Sequence, residues 1–344
     1  MRIALDAMGT DRHPAIEVEG AVQALRELPD DFTLILVGDR DRIEAELGRH
    51  SDLPRDRLEI VHAPQRIEQG ESPAAAVRRK PDSSIVVGLG LQKKGEADAF
   101  VSAGSTGAVM AASLLILRPL PGVDRPPVAT TLPTAAEPVV LVDAGANVDS
   151  KPHHLVQFAR LGAIYAHDVL RRSNPRVGLL NIGEEPEKGD ELAVEAHGLL
   201  RKQPGLNFIG NVEGRDIITG TCDVLVADGF VGNVLLKFYE SIAAFFMEIL
   251  KREQAKSGAK MDLSEIFAAL DYTEYGGAPL LGVQGISIIC HGGSPPRAIK
   301  NAIRVAIRAV ETDMVGHMSR ELTVPPMNGG GPVEPTVGRL AEGA

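Results

Sequence analysis

Short apolar runs alternate with longer segments of helical period or helical length along most of the chain. The apolar runs have the length of strands, and glycine or polar residues follow them. This alternation is typical of βαβ units, so the sequence predicts an α/β fold with a Rossmann-like, mainly parallel sheet covered by helices on both faces. Strands are predicted at 2–6, 32–37, 58–62, 98–102, 139–143, 176–181, 223–227 and 286–289, and helices at 14–28, 105–117, 152–172, 189–201 and 295–315.

Residues 230–272 depart from this alternation and predict a protruding helical hairpin. Its second helix begins with a capping box, in which Asp262 is followed three residues later by Glu265. Its first helix carries an apolar stripe too large to face water, so we predict a homodimer in which two hairpins form a four-helix bundle. The stripe consists of Leu235, Phe238, Ile242, Phe245 and Ile249, and the tip between the helices carries Lys251, Arg252, Lys256 and Lys260.

The C-terminal residues differ from the rest of the chain. Residues 324–344 are rich in proline and glycine and have no hydrophobic period, which predicts a disordered tail. The remaining residues, 1–323, are predicted to form a single α/β domain that contains the hairpin.

Composition excludes several classes of function. A net charge of −10, an aromatic content of 4% and the absence of tryptophan argue against nucleic-acid binding. The two cysteines, Cys222 and Cys290, lie outside any CxxC motif or Cys/His cluster, which fits a reducing cytoplasm. No stretch approaches the roughly 18 apolar residues that span a bilayer, and no signal peptide opens the chain. These features predict a cytoplasmic protein without a membrane span.

Glycine-rich polar turns follow several predicted strands. The carboxyl ends of parallel strands meet at one edge of a sheet, so these turns predict one shared cleft. In the turn at 228–233, two glycines allow close approach of the backbone, and Asp228 and Asn233 lie beside the predicted start of a helix, an arrangement that suits an anion. The other turns of this kind lie at 98–107, 139–147 and 176–190.

The sequence gives no sign of a nucleotide, metal or other cofactor. The segment Gly88-Leu89-Gly90 lacks the third glycine of GxGxxG, and no Walker loop occurs. No close pair of acidic residues on a helix near a strand end predicts a catalytic divalent ion. We therefore predict a site that works without a cofactor.

Six sequence blocks follow one another in a fixed order: Ile3–Asp11, Ser102–Gly107, Val142–Asn147, Asn181–Leu192, Ala227–Asn233 and Gly276–Gly285. In this order they resemble the PlsX-type acyl-ACP:phosphate acyltransferases of bacterial phospholipid synthesis. The resemblance covers about residues 1–318. Two positions depart from the family pattern, since Thr10 stands where the family has a second glycine and Ser105 where it has asparagine.

The resemblance implies a fold similar to those of phosphotransacetylases and isopropylmalate dehydrogenases. It also implies transfer of a long acyl group from acyl carrier protein to inorganic phosphate, giving an acyl phosphate that a glycerol-3-phosphate acyltransferase consumes. Phosphate is itself a nucleophile, so such a site needs a cation and hydrogen-bond donors rather than a Ser, Cys or His nucleophile. Lys188 and Asn233 match the family's proposed catalytic lysine and asparagine.

Each candidate residue also has a purely structural interpretation. Lys188 is a possible ion-pairing turn residue among Glu184, Glu185 and Glu187, and Asn233 a possible helix N-cap. Asp6 and Asp143 are possible loop braces, and each glycine a residue of a tight turn. His291 precedes a glycine-rich loop and a helix near Pro295, with Arg297 close by. The predicted substrate-binding residues are Asp6, Gly9, Ser102, Gly104, Ser105, Thr106, Gly107, Asp143, Asn147, Asn181, Gly183, Asp228, Gly229, Gly232 and His291.

Two other functions remain open at this point. One is a phosphotransacetylase-like enzyme acting on acyl-CoA, for which the helical hairpin has no evident use. The other is a non-catalytic scaffold of lipid synthesis, which would not need Lys188 and Asn233. The basic tip of the hairpin suits reversible contact with an anionic membrane, the docking of an acidic carrier protein, or simply a soluble loop.

Overall fold

Two sheets form the framework of the protein. The structure, a computed structural model, describes residues 1–51, 53–257 and 272–323. Its strands are β1 (Arg2–Asp6), β2 (Thr33–Gly38), β3 (Leu58–His62), β4 (Ala99–Ser102), β5 (Ala129–Leu132), β6 (Val139–Val142), β7 (Val177–Asn181), β8 (Phe208–Glu213), β9 (Val224–Val226), β10 (Ala278–Pro279) and β11 (Ile286–Ile289).

Helices connect most of these strands and cover the sheets. The described helices are α1 (Ala15–Glu27), α2 (Arg40–Leu47), α3 (Pro73–Arg79), α4 (Ser84–Lys93), α5 (Thr106–Ile116), α6 (Pro152–Asp168), α7 (Glu191–Leu200), α8 (Gly229–Ser257), α9 (Pro296–Glu311) and α10 (Met314–Thr323). Gly88 and Gly90 lie within α4, where a Cβ on Gly88 would come 2.3 Å from the ring of Phe100. The first of these glycines therefore serves helix packing.

The α/β fold class is confirmed, but the sheet is divided into two. The first sheet has the order β10-β11-β4-β1-β2-β3 and the second the order β5-β6-β9-β7-β8. All pairs are parallel except β10 with β11 and β5 with β6. An antiparallel bridge between Val128 and Leu280 joins the two sheets near these antiparallel strands. Hydrophobic runs predict where strands lie but not which strands pair, so the sequence could not reveal this division.

The predicted strands are confirmed to within one residue at either end, and most of their side chains are buried in the core. All of the side chains of β4, β6 and β11 are buried, as a strand covered on both faces requires. Strands β5, β8 and β10 were not predicted. Strand β10 has two residues and contains Pro279, which lacks a donor and is tolerated only at the edge of a sheet.

Helix α8 corrects the predicted hairpin in two respects. It begins at Gly229 rather than after Asn233, and it continues to Ser257, so Lys251, Arg252 and Lys256 lie on the helix and not on a loop. Lys256 pairs with Glu253 at 2.9 Å. The predicted second helix, Lys260 and the tail at 324–344 lie outside the described residues. The one-domain boundary at residue 323 stays a prediction.

Helix α8 is also long and apolar enough to cross a membrane by length and composition alone. A window of 18 residues within Gly229–Gln254 is apolar enough to span a bilayer, so the expectation that no stretch approaches a membrane span was wrong by this criterion. The first turns of α8 nevertheless pack on the second sheet, and the Tyr239 hydroxyl donates to the Pro133 carbonyl at 2.8 Å. A helix of this composition also suits the surface of a folded domain that another chain covers.

Candidate active site

A cavity of about 330 Å³ lies between the ends of the two sheets. Val128 and Ala144 from the second sheet and Ile289 from the first contribute to its walls, and helix α8 closes one side. A cleft at the carboxyl ends of strands is where ligands bind in open α/β sheets. Its polar residues are Thr106, Thr130, Asn233, Lys237, Glu240, His291 and Ser294. We call this the polar cavity.

The polar cavity contains a cation that the sequence analysis missed. The Lys237 ammonium donates to Glu240 Oε2 at 2.8 Å and lies 3.1 Å from His291 Nε2. A neutral imidazole can accept from this ammonium, and Glu240 offsets part of its charge, so what the group offers an anion is chiefly a hydrogen-bond donor. Asn233, Lys237 and Glu240 are spaced i, i+4 and i+7, which places them on one helical face. This spacing predicts that the three side chains share one face, provided that the helix is taken to start at Gly229.

Asp228 caps helix α8. Its Oδ1 accepts hydrogen bonds from the backbone N–H groups of Phe230 at 2.8 Å and Val231 at 3.1 Å. Asn233, in the second turn, is therefore not the N-cap. Its side chain does not cap the helix and lines the polar cavity instead.

The glycines of this segment allow α8 to lie directly on the loop after β6. A Cβ on Gly232 would lie 1.9 Å from the carbonyl oxygen of Asp143, and one on Gly229 would lie 2.7 Å from that of Asn147. Gly145 has a φ of +135°, and a Cβ on it would lie 3.2 Å from the side chain of Asn233. These glycines position Asn233 by close packing.

Asp143 and Asn147 brace the same loop from within. Asp143 Oδ1 accepts from the backbone N–H groups of Val128, Gly145 and Ala146, and Oδ2 accepts from the backbone and the side chain of Asn147. Burial raises the pKa of the Asp143 carboxyl, although these donors act against the shift. Both side chains are buried, and the structural interpretation of Asp143 matches this geometry.

A second buried network ties the end of β1 to the end of β4. Asp6 Oδ2 accepts from the Ser102 hydroxyl at 2.7 Å, and the Ser102 oxygen accepts from the Gly104 N–H at 3.0 Å. A Cβ on Gly9 would lie 2.6 Å from the Gly104 nitrogen. Burial raises the pKa of the Asp6 carboxyl. These four residues hold two loops together behind the polar cavity and do not line it.

The loop that follows β4 brings one residue into the cavity. Thr106, the first residue of α5, lines the polar cavity, whereas Ser105 precedes the helix and its side chain makes no capping hydrogen bond. A Cβ on Gly107 would lie 2.9 Å from Pro73, so this glycine allows α5 to approach α3. Arg297, expected near the cavity, pairs with Glu274 at 2.5 Å.

Thr10, one of the two departures from the family pattern, contacts a buried carboxyl group. Its backbone N–H donates to Glu17 Oε1 at 2.6 Å, and its hydroxyl donates to Oε2 at 2.9 Å. Burial raises the pKa of Glu17 to about 7, and the hydrogen bonds from Thr10 act against that shift. The residue at this position thus supports a carboxyl group that titrates near neutral pH.

Replacing Glu17 by glutamine is expected to reduce the pH dependence of stability. The pKa of Glu17 is higher in the folded state than its ordinary value of 4.5, so its favourable contribution is complete below about pH 4.5 and is lost as the pH rises through about 7. The change amounts to about 3 kcal/mol. The free energy of unfolding of both proteins, measured from pH 5 to 8, checks this. Parallel curves for wild type and Glu17→Gln would contradict it.

Lys188 lies on an exposed turn between β7 and α7. The Asn181 side chain donates to the Lys188 carbonyl at 2.9 Å, and a Cβ on Gly183 would lie 2.9 Å from the Lys188 side chain. Within the part of the chain that the structure describes, the Lys188 ammonium makes no hydrogen bond or ion pair. Among the described residues, Lys188 therefore forms no ion pair with Glu184, Glu185 or Glu187.

A larger cavity of about 630 Å³ lies beside this turn, on the other face of α8. Asn181, Asp190 and Asp228 line it together with many apolar side chains. Helix α8 contributes Val231, Val234, Leu235 and Phe238, which lie opposite Asn233, Leu236, Lys237 and Glu240 at 100° per residue. We call it the apolar cavity. Within one chain, the structure thus places Lys188 and Asn233 on different sides of the helix.

Comparisons with known proteins identify the family to which the chain belongs. A family described as "Fatty acid synthesis protein" matches residues 1–317. The phosphate acyltransferase of Heliobacterium modesticaldum is 51% identical over 331 residues, which cover 94% of this chain and 98% of that protein. The phosphate acyltransferase of Moorella thermoacetica is 52% identical over 323 residues, covering 92% and 94% of the two chains.

Among solved structures, a phosphotransacetylase from Streptococcus pyogenes is similar with a TM-score of 0.61, covering 90% of this chain and 94% of that chain. At 17% sequence identity this likeness shows the fold, and it confirms the predicted similarity to phosphotransacetylases. The family and its relatives, by contrast, match nearly the whole chain, including the block from Ala227 to Asn233 that forms the start of α8. The chain therefore belongs to the phosphate acyltransferase family, a group of transferases in fatty acid and phospholipid synthesis.

Proposed function

We propose that the protein transfers a long-chain acyl group from the thioester of acyl carrier protein to inorganic phosphate, by direct attack of phosphate. The proposal rests on the two faces of the first part of α8. One of its faces presents an amide and an ammonium to the polar cavity, and the opposite face lines an apolar cavity. A reaction between a phosphate and a fatty acyl thioester needs both environments close together.

The chemistry follows from the groups present. A phosphate oxygen attacks the thioester carbonyl carbon, the C–O bond forms, and a tetrahedral oxyanion results. The Asn233 amide can donate to this oxyanion, a contact of a kind worth about 3 kcal/mol of barrier. Collapse breaks the C–S bond, and the thiolate of the carrier leaves and takes up the proton of the phosphate. Lys237, on the same face of α8 as Asn233, and Lys188, on the turn beside the apolar cavity, offset the negative charge.

The apolar face of α8 favours a long acyl chain. The apolar cavity and a neighbouring cavity of about 360 Å³ share Gly214, Leu235 and Phe238, so they form a continuous apolar groove. Ile217, Ile242 and Phe246 extend the groove along the helix. A groove of this length favours a long acyl chain over the acetyl group of the phosphotransacetylase-like alternative.

A comparison of donors tests the proposed substrate. Palmitoyl-ACP, palmitoyl-CoA and acetyl-CoA would be offered to the purified protein with phosphate, and kcat/KM measured for each. We expect palmitoyl-ACP to be the best donor and acetyl-CoA to be turned over at least about 100-fold less efficiently, because a short chain leaves the groove unfilled. Equal use of acetyl-CoA would favour the phosphotransacetylase-like alternative. No turnover of any donor would favour the scaffold.

The two cysteines are expected to take no part in the reaction. Both are buried, and burial raises the pKa of Cys222 and of Cys290 to about 12, so neither forms a thiolate at neutral pH. The variants Cys222→Ser and Cys290→Ser are therefore expected to keep the rate of acyl transfer, with sequential kinetics. Intact-mass measurement during turnover checks this. A stoichiometric acyl-protein adduct would contradict direct attack.

We also propose that a second copy of the chain covers the outward face of α8. The large apolar side chains Phe230, Phe238 and Phe245 are 63%, 63% and 58% exposed on this face, more than a water-facing helix carries. Phe245 lies outside the cavities, so Phe245→Glu is expected to convert a homodimer into a monomer. Sedimentation of both proteins measures this, with Glu248→Gln as a control. A Phe245→Glu dimer would contradict the proposal.

The cytoplasmic location and reversible membrane contact stay proposals as well. The basic residues at the far end of α8 would lie at an anionic leaflet, where each contributes about 1 kcal/mol at most. Arg252 and Lys256 already face Glu253, at 3.8 Å and 2.9 Å, which reduces their combined charge. An acyl phosphate is a reactive donor for a further acyl transfer, and the family resemblance implies that a glycerol-3-phosphate acyltransferase carries it out.

A further inference from the structure

We propose that His167, Asp168 and His317 form a site for a divalent transition-metal ion of the Zn²⁺ type, which links helix α6 to helix α10. Their ligand atoms lie within 4.8 Å of one another. His167 Nδ1 is 2.8 Å from Asp168 Oδ1, and His317 Nδ1 is 3.0 Å and 2.9 Å from the two Asp168 oxygens. The residues line none of the cavities along α8, so the site is separate from the reaction.

The setting of Asp168 calls for a cation. Its carboxylate is buried at the last residue of α6, where the helix dipole already contributes negative charge. A buried carboxylate is costly without a positive partner. Its two hydrogen-bonding neighbours are imidazoles, and it pairs with no lysine or arginine among the described residues. A metal ion bound between the three side chains would supply the missing charge.

The distances suit such an ion after a small adjustment. Ligands bound to Zn²⁺ at 2.0 to 2.1 Å in a tetrahedron lie roughly 3.3 Å apart, so each imidazole needs to move away from the Asp168 carboxylate by about 0.5 Å or less. His167 is half-exposed and can move, and metal binding then only shifts each imidazole proton from Nδ1 to Nε2.

The surroundings provide the fourth ligand. A cavity of about 450 Å³ adjoins the site, and Glu321 lines it one helical turn beyond His317 on α10. Water from this cavity can complete a tetrahedron. Arg160 also lines the cavity, and it pairs with Glu321 at 3.8 Å. The sequence offers no motif for this site because 149 residues separate Asp168 from His317.

Cobalt binding to the untagged, chelator-treated protein tests the proposal. We expect one equivalent of Co²⁺ to give the visible absorption of tetrahedral cobalt, and Zn²⁺ to displace it. Zn²⁺ is also expected to raise the melting temperature, because it binds the folded state. The variants His317→Gln and His167→Gln are each expected to weaken Co²⁺ binding at least about 100-fold and to remove the thermal shift.

A second cluster in the chain provides the matched control. Asp124, His153 and His154 also meet the spacing of a metal site, but His153 and Asp124 are exposed. His153→Gln is therefore expected to keep both the cobalt spectrum and the thermal shift. Three results would overturn the proposal: no Co²⁺ binding by the wild type, unchanged binding by both His317→Gln and His167→Gln, or loss of binding in His153→Gln alone. In each case the three residues would be a simple hydrogen-bonded brace.

Discussion

Replacing Lys188 by alanine is expected to lower kcat at least about 100-fold while the protein stays folded. Lys188 is the cation that the sequence resemblance implies, and its ammonium has no partner among the described residues, so it is available to a bound anion. Removing a positive group that meets developing negative charge costs about 3 kcal/mol or more of transition-state stabilisation. Because Lys188 is exposed, its removal leaves the core intact. Steady-state kinetics with palmitoyl-ACP and phosphate measure the effect.

Two matched lysine variants make this result specific. Lys202→Ala, at an exposed position on the turn after α7, is expected to keep wild-type activity. Lys237→Ala, inside the polar cavity, is expected to raise the KM for phosphate with a smaller loss of kcat. If Lys188→Ala stays within about threefold of wild type and Lys237→Ala is inactive, the essential cation is Lys237, which shares its cavity with Asn233.

Gly232→Ala is expected to destabilise the protein by more than about 3 kcal/mol or to prevent folding. The new Cβ would lie 1.9 Å from the Asp143 carbonyl oxygen, which is backbone and cannot turn aside. Helix α8 would have to move away from the loop at 143–147, and Asn233 would move with it. Urea unfolding and soluble yield measure the loss.

Gly198→Ala is the control for this substitution. Gly198 lies within α7, and a Cβ there would meet no atom within 4 Å. Alanine is the better helix former, so we expect a gain of about 0.5 to 1 kcal/mol. Equal stability of Gly232→Ala and wild type would show that α8 does not rest on this loop as described.

The sequence predicts eight of the described strands well because most of them are apolar and largely buried, although β3 has no buried residue. It predicted the polar turns at the strand ends equally well, but not what those polar groups do. Asp143 was predicted to contact substrate or brace a loop. Its five hydrogen bonds come from its own loop and from Val128, and that pairing becomes visible only when the backbone is folded.

The start of α8 shows why part of the site was missed. The glycines at 229 and 232 suggested a loop, and the helix was therefore predicted to begin after Asn233. Their role depends on a loop about 85 residues earlier in the chain, which no local pattern reveals. With the helix starting at Gly229, the i, i+4 and i+7 spacing identifies Lys237 and Glu240 as neighbours of Asn233. The position of the helix start thus determines whether Lys237 and Glu240 are recognised as residues of the polar cavity.

A single-turnover measurement tests direct attack by phosphate on the acyl thioester most directly. Excess wild-type protein would be mixed with palmitoyl-ACP, with and without inorganic phosphate, and free carrier thiol and acyl phosphate would be followed together. Thiol release is expected only with phosphate, with one acyl phosphate formed for each thiol. The Lys188→Ala variant is expected to form both products more slowly than wild type. Release of thiol without phosphate, or in excess of acyl phosphate, would contradict direct attack at this site.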